Sequence, residues 1–155
     1  MKVGASSPRG SRRVVHTSDM GSHFGEGDWM FKDPTEPKDL RNWIRNIAKG
    51  GADTYVSEVY FDGLISYYRS ERCPNWTSPR YKRFNAMMDE GTMPLEIFTG
   101  EAHNQNIELL AGFRVNDRHG VNKPFFQAHP DWLLKELGHG VDYSLQEVRD
   151  WIFWI

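Results

Sequence analysis

One segment limits the choice of fold more than any other. Residues 108–119 read Glu-Leu-Leu-Ala-Gly-Phe-Arg-Val-Asn-Asp-Arg-His, an apolar run that becomes a dense polar cluster within a few residues. In a strand, side chains alternate between faces, so Leu109, Ala111, Phe113 and Val115 share one side while Leu110, Gly112, Arg114 and Asn116 share the other. The first set suits a helix-covered face. The second begins apolar and ends polar, with Asp117 and His119 just past the strand end, where open α/β sheets and α/β barrels carry their ligands.

The chain leading to this segment alternates between two periods. Residues 12–19 form a short β-branched run closing in polar residues, followed by a Gly-rich stretch at 21–27. Asp33, Pro34 and Glu36 carry the signals of a helix start, and Leu40, Trp43, Ile44 and Ile47 fall at i, i+3, i+4 and i+7, with Gly50 and Gly51 as the stop. Residues 53–62 are rich in β-branched and aromatic side chains and predict a second strand ending at Asp62-Gly63. A long loop over 64–79 and helices near 80–90 and 94–103 then return the chain to residue 108. Beyond His119 comes a loop of Gly, Asn, Lys and Pro, then a short helix over 130–137. Ser144 and Glu147 match a capping box, with Leu145, Val148, Ile152 and Ile155 as an apolar stripe behind it.

Strand, helix, strand, helix, strand, helix is the order of parallel strands joined by right-handed crossovers. The expected fold is therefore α/β: parallel βα units, the first three of a partial, incomplete TIM-type (β/α)8 barrel, with 1–11 as a disordered lead-in and 12–155 as a single domain. A closed barrel of this kind takes about 250 residues. Three strands leave open sheet edges, and residues 151–155, Trp-Ile-Phe-Trp-Ile, are apolar on nearly every side, so self-association through both is expected.

Composition narrows the function classes. A formal net charge of -2, with acids and bases mixed along the chain, gives no basic footprint for nucleic acid or an anionic membrane. No run reaches the ~18 apolar residues that would span a bilayer. The single Cys73 rules out an internal disulfide framework and has no evident base beside it. Asn75-Trp-Thr77 matches a glycosylation acceptor, without other signs of a secretory context.

Three pieces of sequence carry a family likeness. Residues 113–119 (Phe-Arg-Val-Asn-Asp-Arg-His), 128–132 (Ala-His-Pro-Asp-Trp) and 142–149 (Asp-Tyr-Ser-Leu-Gln-Glu-Val-Arg) together resemble the amino-terminal third of bacterial glycoside-hydrolase-like (β/α)8 barrel proteins, the family 10-like group. Residues 13–19 and 60–63 look like the first and second strand ends of the same group. The resemblance implies a carbohydrate-directed function with no cofactor, and a glycan or other small polar substrate as partner. It also implies that the catalytic acids sit on later strands, beyond the end of this chain, so the chain by itself is expected to be inactive.

Arg114, Asn116, Asp117 and His119 are the leading substrate-binding candidates, because a guanidinium fork, an amide and a carboxylate bind sugar hydroxyls in pairs and His119 donates or accepts near neutral pH. The competing reading is a turn built by Asn and Asp, with Arg114 as the partner of a carboxylate such as Glu58. Trp132 is either a sugar-stacking platform or a packed residue at a helix start. Asp117, Glu58 and Asp62 are the weak catalytic candidates, since glycoside hydrolysis needs two acids ~5 to 10 Å apart. A metal-dependent hydrolase using His16, Asp19, His119 and His129 is a further alternative, but the chain has no HExxH motif or Cys pair to anchor it, and no metal site is expected.

Overall fold

The computed structural model describes residues 14–18, 36–61, 64–65, 67–75, 82–115, 123–136 and 140–155. The expected lead-in at 1–11 lies outside them. In chain order the elements are β1 (Val15–Ser18), α1 (Pro37–Lys49), β2 (Thr54–Phe61), β3 (Leu64–Ile65), α2 (Lys82–Asp89), α3 (Pro94–Asn104), β4 (Glu108–Arg114), α4 (Lys123–Ala128), a 3-10 turn (Pro130–Trp132) and α5 (Gln146–Trp154).

The sheet corrects the expectation of three purely parallel barrel units. β1 and β4 both run parallel to β2, but β3 is antiparallel to it, with Tyr60 opposite Ile65 and Phe61 opposite Leu64, so the sheet is mixed and the fold is a mixed α/β layer. The physical reason lies in the chain after Phe61. Only two residues, Asp62 and Gly63, separate the paired strands, and Asp-Gly is a hairpin dipeptide as well as a strand stop. Where the sequence reading placed a long loop, the chain first doubles back on the sheet.

The core lies on one face of the sheet. Leu40, Trp43, Ile44 and Ile47 are all buried, as the helical spacing of α1 requires. His16 meets Trp43 edge-on, and Tyr55 does the same with Phe98 of α3, so α1 and α3 cover the same side of β1 and β2. Tyr67 packs against both Phe84 and Phe98 and ties α2 into this layer. The start of α1 is capped by Glu36, whose backbone N–H donates to Asp39 Oδ2 at 2.8 Å; the expected cap, Asp33, lies outside the described residues.

The opposite face is largely bare among the described residues. Val15 is 55% exposed and Leu110 45% exposed, and Glu58 and Arg114 sit half-buried on the same face. β2 carries an irregularity between Glu58 and Tyr60: Glu58 pairs with Gly112 and Tyr60 with Phe113, leaving Val59 as the extra residue. That shift lets Tyr60 turn toward the core, where it is fully buried beside Phe113 with ring centroids 5.3 Å apart.

The region after β4 departs from expectation twice. α4 starts in the Gly, Asn, Lys and Pro stretch expected as loop and runs on through residues 125–128, for which no element was expected, and of the helix expected over 130–137 the described residues form only the 3-10 turn Pro130–Trp132. α5 begins at Gln146, so the Ser144 capping box does not form; Ser144 N–H instead donates to Asp142 Oδ1 at 2.9 Å. Its Val148 is buried, and Trp151, Ile152 and Ile155 pack on the core, while Phe153 and Trp154 remain exposed.

Candidate functional site

Glu58 and Arg114 come from neighbouring strands and meet at the end of the sheet. Arg114 Nη1 lies 3.5 Å from Glu58 Oε2, with the side chains 34% and 22% exposed. The other expected members of this cluster, Asp62, Asn116, Asp117 and His119, lie outside the described residues. What the structure brings together here is an ion pair, with one carboxylate and one guanidinium facing the bare side of the sheet.

A different group converges on α5. Trp132 stacks on His129 with centroids 4.1 Å apart and planes within 18°, and both rings lie 6.0 Å from Trp151. Phe125 of α4 closes the cluster from the other side, 6.1 Å from Trp132 and 6.0 Å from Trp151. Trp151 is anchored by its indole N–H, which donates to the Tyr60 hydroxyl at 3.3 Å. Trp154, one turn on, lies under the Arg72 guanidinium at 3.8 Å, and Arg72 Nη1 donates to the Trp154 carbonyl at 3.0 Å.

These rings border a shallow cleft of about 290 Å³ lined by Trp132, Glu147, Asp150, Trp151 and Trp154. Four of the five fall at i, i+3, i+4 and i+7 on α5, so one helix face delivers two carboxylates and two indoles side by side. Asp150 Oδ1 accepts from Gln146 Nε2 at 2.7 Å, which holds the carboxylate in place. Sequence reasoning singled out Trp132 alone. The 147, 150, 151, 154 spacing was the available signal, masked by the apolar stripe at 145, 148, 152 and 155 on the other side of the same helix.

A larger cavity of about 540 Å³ lies between the 67–75 segment and α3, lined by Tyr68, Arg69, Met93, Leu95, Glu96 and Thr99. Its lining mixes Arg69, Glu96 and Thr99 with apolar side chains, and Arg69 is engaged by Asp89 and by the Asn85 carbonyl. Size favours this cavity, but three indoles gathered on one cleft, with Glu147 and Asp150 on the same helix face, favour the α5 cleft for a ring-shaped ligand.

Cys73 is buried, and burial pushes its thiol up to about 12. It is a packed side chain rather than a nucleophile. Among the described residues no three His, Cys, Asp or Glu side chains are grouped so as to hold a metal ion. His16 lies against Trp43 and Tyr55, and His129 against Trp132, so neither described histidine of the metal alternative is set among carboxylates. No helix among the described residues is long and apolar enough to cross a membrane.

No family model, no curated protein and no solved structure matches the chain.

Proposed function

We propose that this chain binds carbohydrate, seating a sugar ring in the α5 cleft against Trp132, Trp151 and Trp154 while Glu147 and Asp150 accept hydrogen bonds from its hydroxyls. The observation that carries the reading is the cleft itself: three indoles and two carboxylates around about 290 Å³, just under the usual range for small-ligand sites and of a size for a single sugar ring. A sugar presents apolar C–H faces to an aromatic ring and hydroxyls at its rim, and charged acceptors make the stronger hydrogen bonds. Glu147 and Asp150 stand one turn apart on a single helix face. That places both on one side of a bound ring, an arrangement for holding hydroxyls rather than for flanking a scissile bond with an acid and a nucleophile. Binding, not hydrolysis, is the activity assigned to the site.

The test is a screen of immobilised glycans with the full chain, followed by titration of any glycan retained. Trp132→Ala is expected to weaken binding about tenfold or more, and Glu147→Gln with Asp150→Asn to weaken it further. Retention of full affinity by all of these variants removes the cleft from the reading.

One observation favours a second ligand class. Arg72 already lies over the Trp154 ring, so the aromatic edge of this acidic cleft accepts a cation. Direct titration with tetramethylammonium, with no glycan present, separates the two, because an organic-cation site binds it and a sugar site does not.

The sheet edges open among the described residues and the exposed Phe153 are a separate surface property, and the partner that fits them is a second copy of the chain.

A further inference from the structure

Among the described residues β4 hydrogen-bonds to β2 alone, so its outer side is an edge. The backbone N–H of Glu108 donates to the Asp53 carbonyl at 2.9 Å, which fixes the direction of every amide along the strand. Alternate residues face the same neighbour, so Glu108, Leu110 and Gly112 turn their amides to β2, and Leu109, Ala111 and Phe113 turn theirs outward. Nothing in residues 109–113 blocks that edge: none of the five residues is charged and none is proline. Leu110 and Phe113 are 45% and 40% exposed. Edge strands usually carry a charge or a proline at this position to prevent pairing.

The sequence of the strand is complementary to itself when reversed. With Ala111 at the centre, Glu108 falls opposite Arg114, Leu109 opposite Phe113, and Leu110 opposite Gly112. We infer that β4 is the docking edge for a second copy of this chain, paired antiparallel about a two-fold axis at Ala111. The inference rests on the reading of the sheet edge as a self-association surface and narrows it to one register.

Three independent properties select that register. The outward amides of Leu109, Ala111 and Phe113 meet those of the partner's Phe113, the partner's Ala111 and the partner's Leu109, three donors from each copy. Both ends are closed by opposite charges, Glu108 with the partner's Arg114 and Arg114 with the partner's Glu108, across the closely spaced non-hydrogen-bonded positions. Leu109 and the partner's Phe113 face each other on the helix-covered side, where Phe113 is otherwise exposed. A slip of two residues in either direction sets Glu108 against Gly112 or Asn116 of the other copy and loses both charge pairs. A slip of one turns outward amides onto inward ones. The contact is isologous, so it closes at two copies and does not propagate through β4.

The experiment is sedimentation velocity of the full chain over a concentration series, with circular dichroism to check that each variant is folded. The wild-type chain is expected to dimerise. Glu108→Arg sets like charges together at both ends and weakens the dimer roughly tenfold or more; Arg114→Glu does the same and also loses the Glu58 pair of its own chain, and the double reversal, checked as folded, restores dimerisation. Ala111→Cys gives a second readout, because hydrogen-bonded antiparallel partners stand ~5.5 Å apart at Cα, within reach of a disulfide. Mild oxidation is expected to link the Ala111→Cys chains and to leave Leu109→Cys chains unlinked. A monomer at all concentrations overturns the self-association reading itself. A dimer that ignores both single reversals and is not linked through Ala111→Cys overturns this register and leaves self-association to another surface.

Discussion

The indole N–H of Trp151 donates to the hydroxyl of Tyr60 across 3.3 Å, joining α5 to a fully buried residue in the middle of the sheet. This bond matters for both packing and function, because Trp151 is at once a core-facing side chain and a wall of the cleft. Tyr60→Phe removes the acceptor and keeps the ring, and is expected to lower stability by about 1 kcal/mol in urea denaturation. Trp151→Ala removes a half-buried ring as well and is expected to cost about 2–3 kcal/mol, below the range for a fully buried aromatic.

Glu101 on α3 is buried and receives two bonds from Arg45 on α1, at 2.8 and 3.2 Å, and one from Gln105 at 2.8 Å. The Arg45 hydrogen bond, followed by that from Gln105, holds its carboxyl below the usual glutamate range despite burial. A carboxyl lowered in the folded state contributes stability that is present above its unfolded value, near 4.5, and is lost as pH falls through the folded value. Unfolding free energy is therefore expected to drop below about pH 5 in the wild type. Glu101→Gln is expected to flatten that slope and to cost about 1–2 kcal/mol at pH 7, the exposed Arg45 partner keeping the figure modest. Denaturant titrations at pH 3, 5 and 7 check both.

Gly112 on β4 pairs with Glu58 on β2. A Cβ built there would stand 3.0 Å from Val56 Cγ1 and 3.3 Å from the Ser57 carbonyl oxygen. The requirement is one of space between strands rather than of backbone conformation. Gly112→Ala is expected to destabilise by about 1–3 kcal/mol through overpacking, read as a lowered thermal midpoint, with Val56→Ala on the same chain restoring part of it.

The Cys73 thiol, raised to about 12 by burial, is neutral at ordinary pH. Native protein is expected to react with an aromatic disulfide reagent at pH 8 only as fast as it unfolds, and at once in guanidinium. The linkage runs opposite to that of Glu101: stability is full below the unfolded thiol value near 9 and falls as pH rises from there.

Periodicity made much of the layer legible in the sequence. The α1 stripe at Leu40, Trp43, Ile44 and Ile47 is buried in full, and the strands at 54–61 and 108–114 lie within the β-rich stretches. The sheet's mixed direction was not legible, because Asp62-Gly63 marks a strand end and a hairpin equally well, and only the pairing of Phe61 with Leu64 decides between them. The helix at Lys123–Ala128 was hidden because its first two residues close a Gly, Asn, Lys and Pro run that reads as loop and its six residues are too few to show a helical period; Pro124 near its start was the contrary signal.

The site was legible only in fragments. Glu58 and Arg114 were both candidates, and their pairing follows from the β2 and β4 register, which a single sequence does not state. Trp132 was visible as an aromatic near a Pro-Asp turn, yet its companions on α5 belong to a helix whose opposite, apolar stripe dominates the pattern. Two faces of one helix, one for the core and one for the cleft, share the same eleven-residue window.

The central claim is that a sugar sits against the α5 indoles, and the indole N–H signals of the six tryptophans report on it directly. A titration of uniformly labelled protein with a retained oligosaccharide, followed by two-dimensional proton–nitrogen NMR, is expected to shift the indole signals of Trp132, Trp151 and Trp154 and to leave that of the buried Trp43 in place. Binding of the oligosaccharide with all three cleft indoles unmoved would contradict the account.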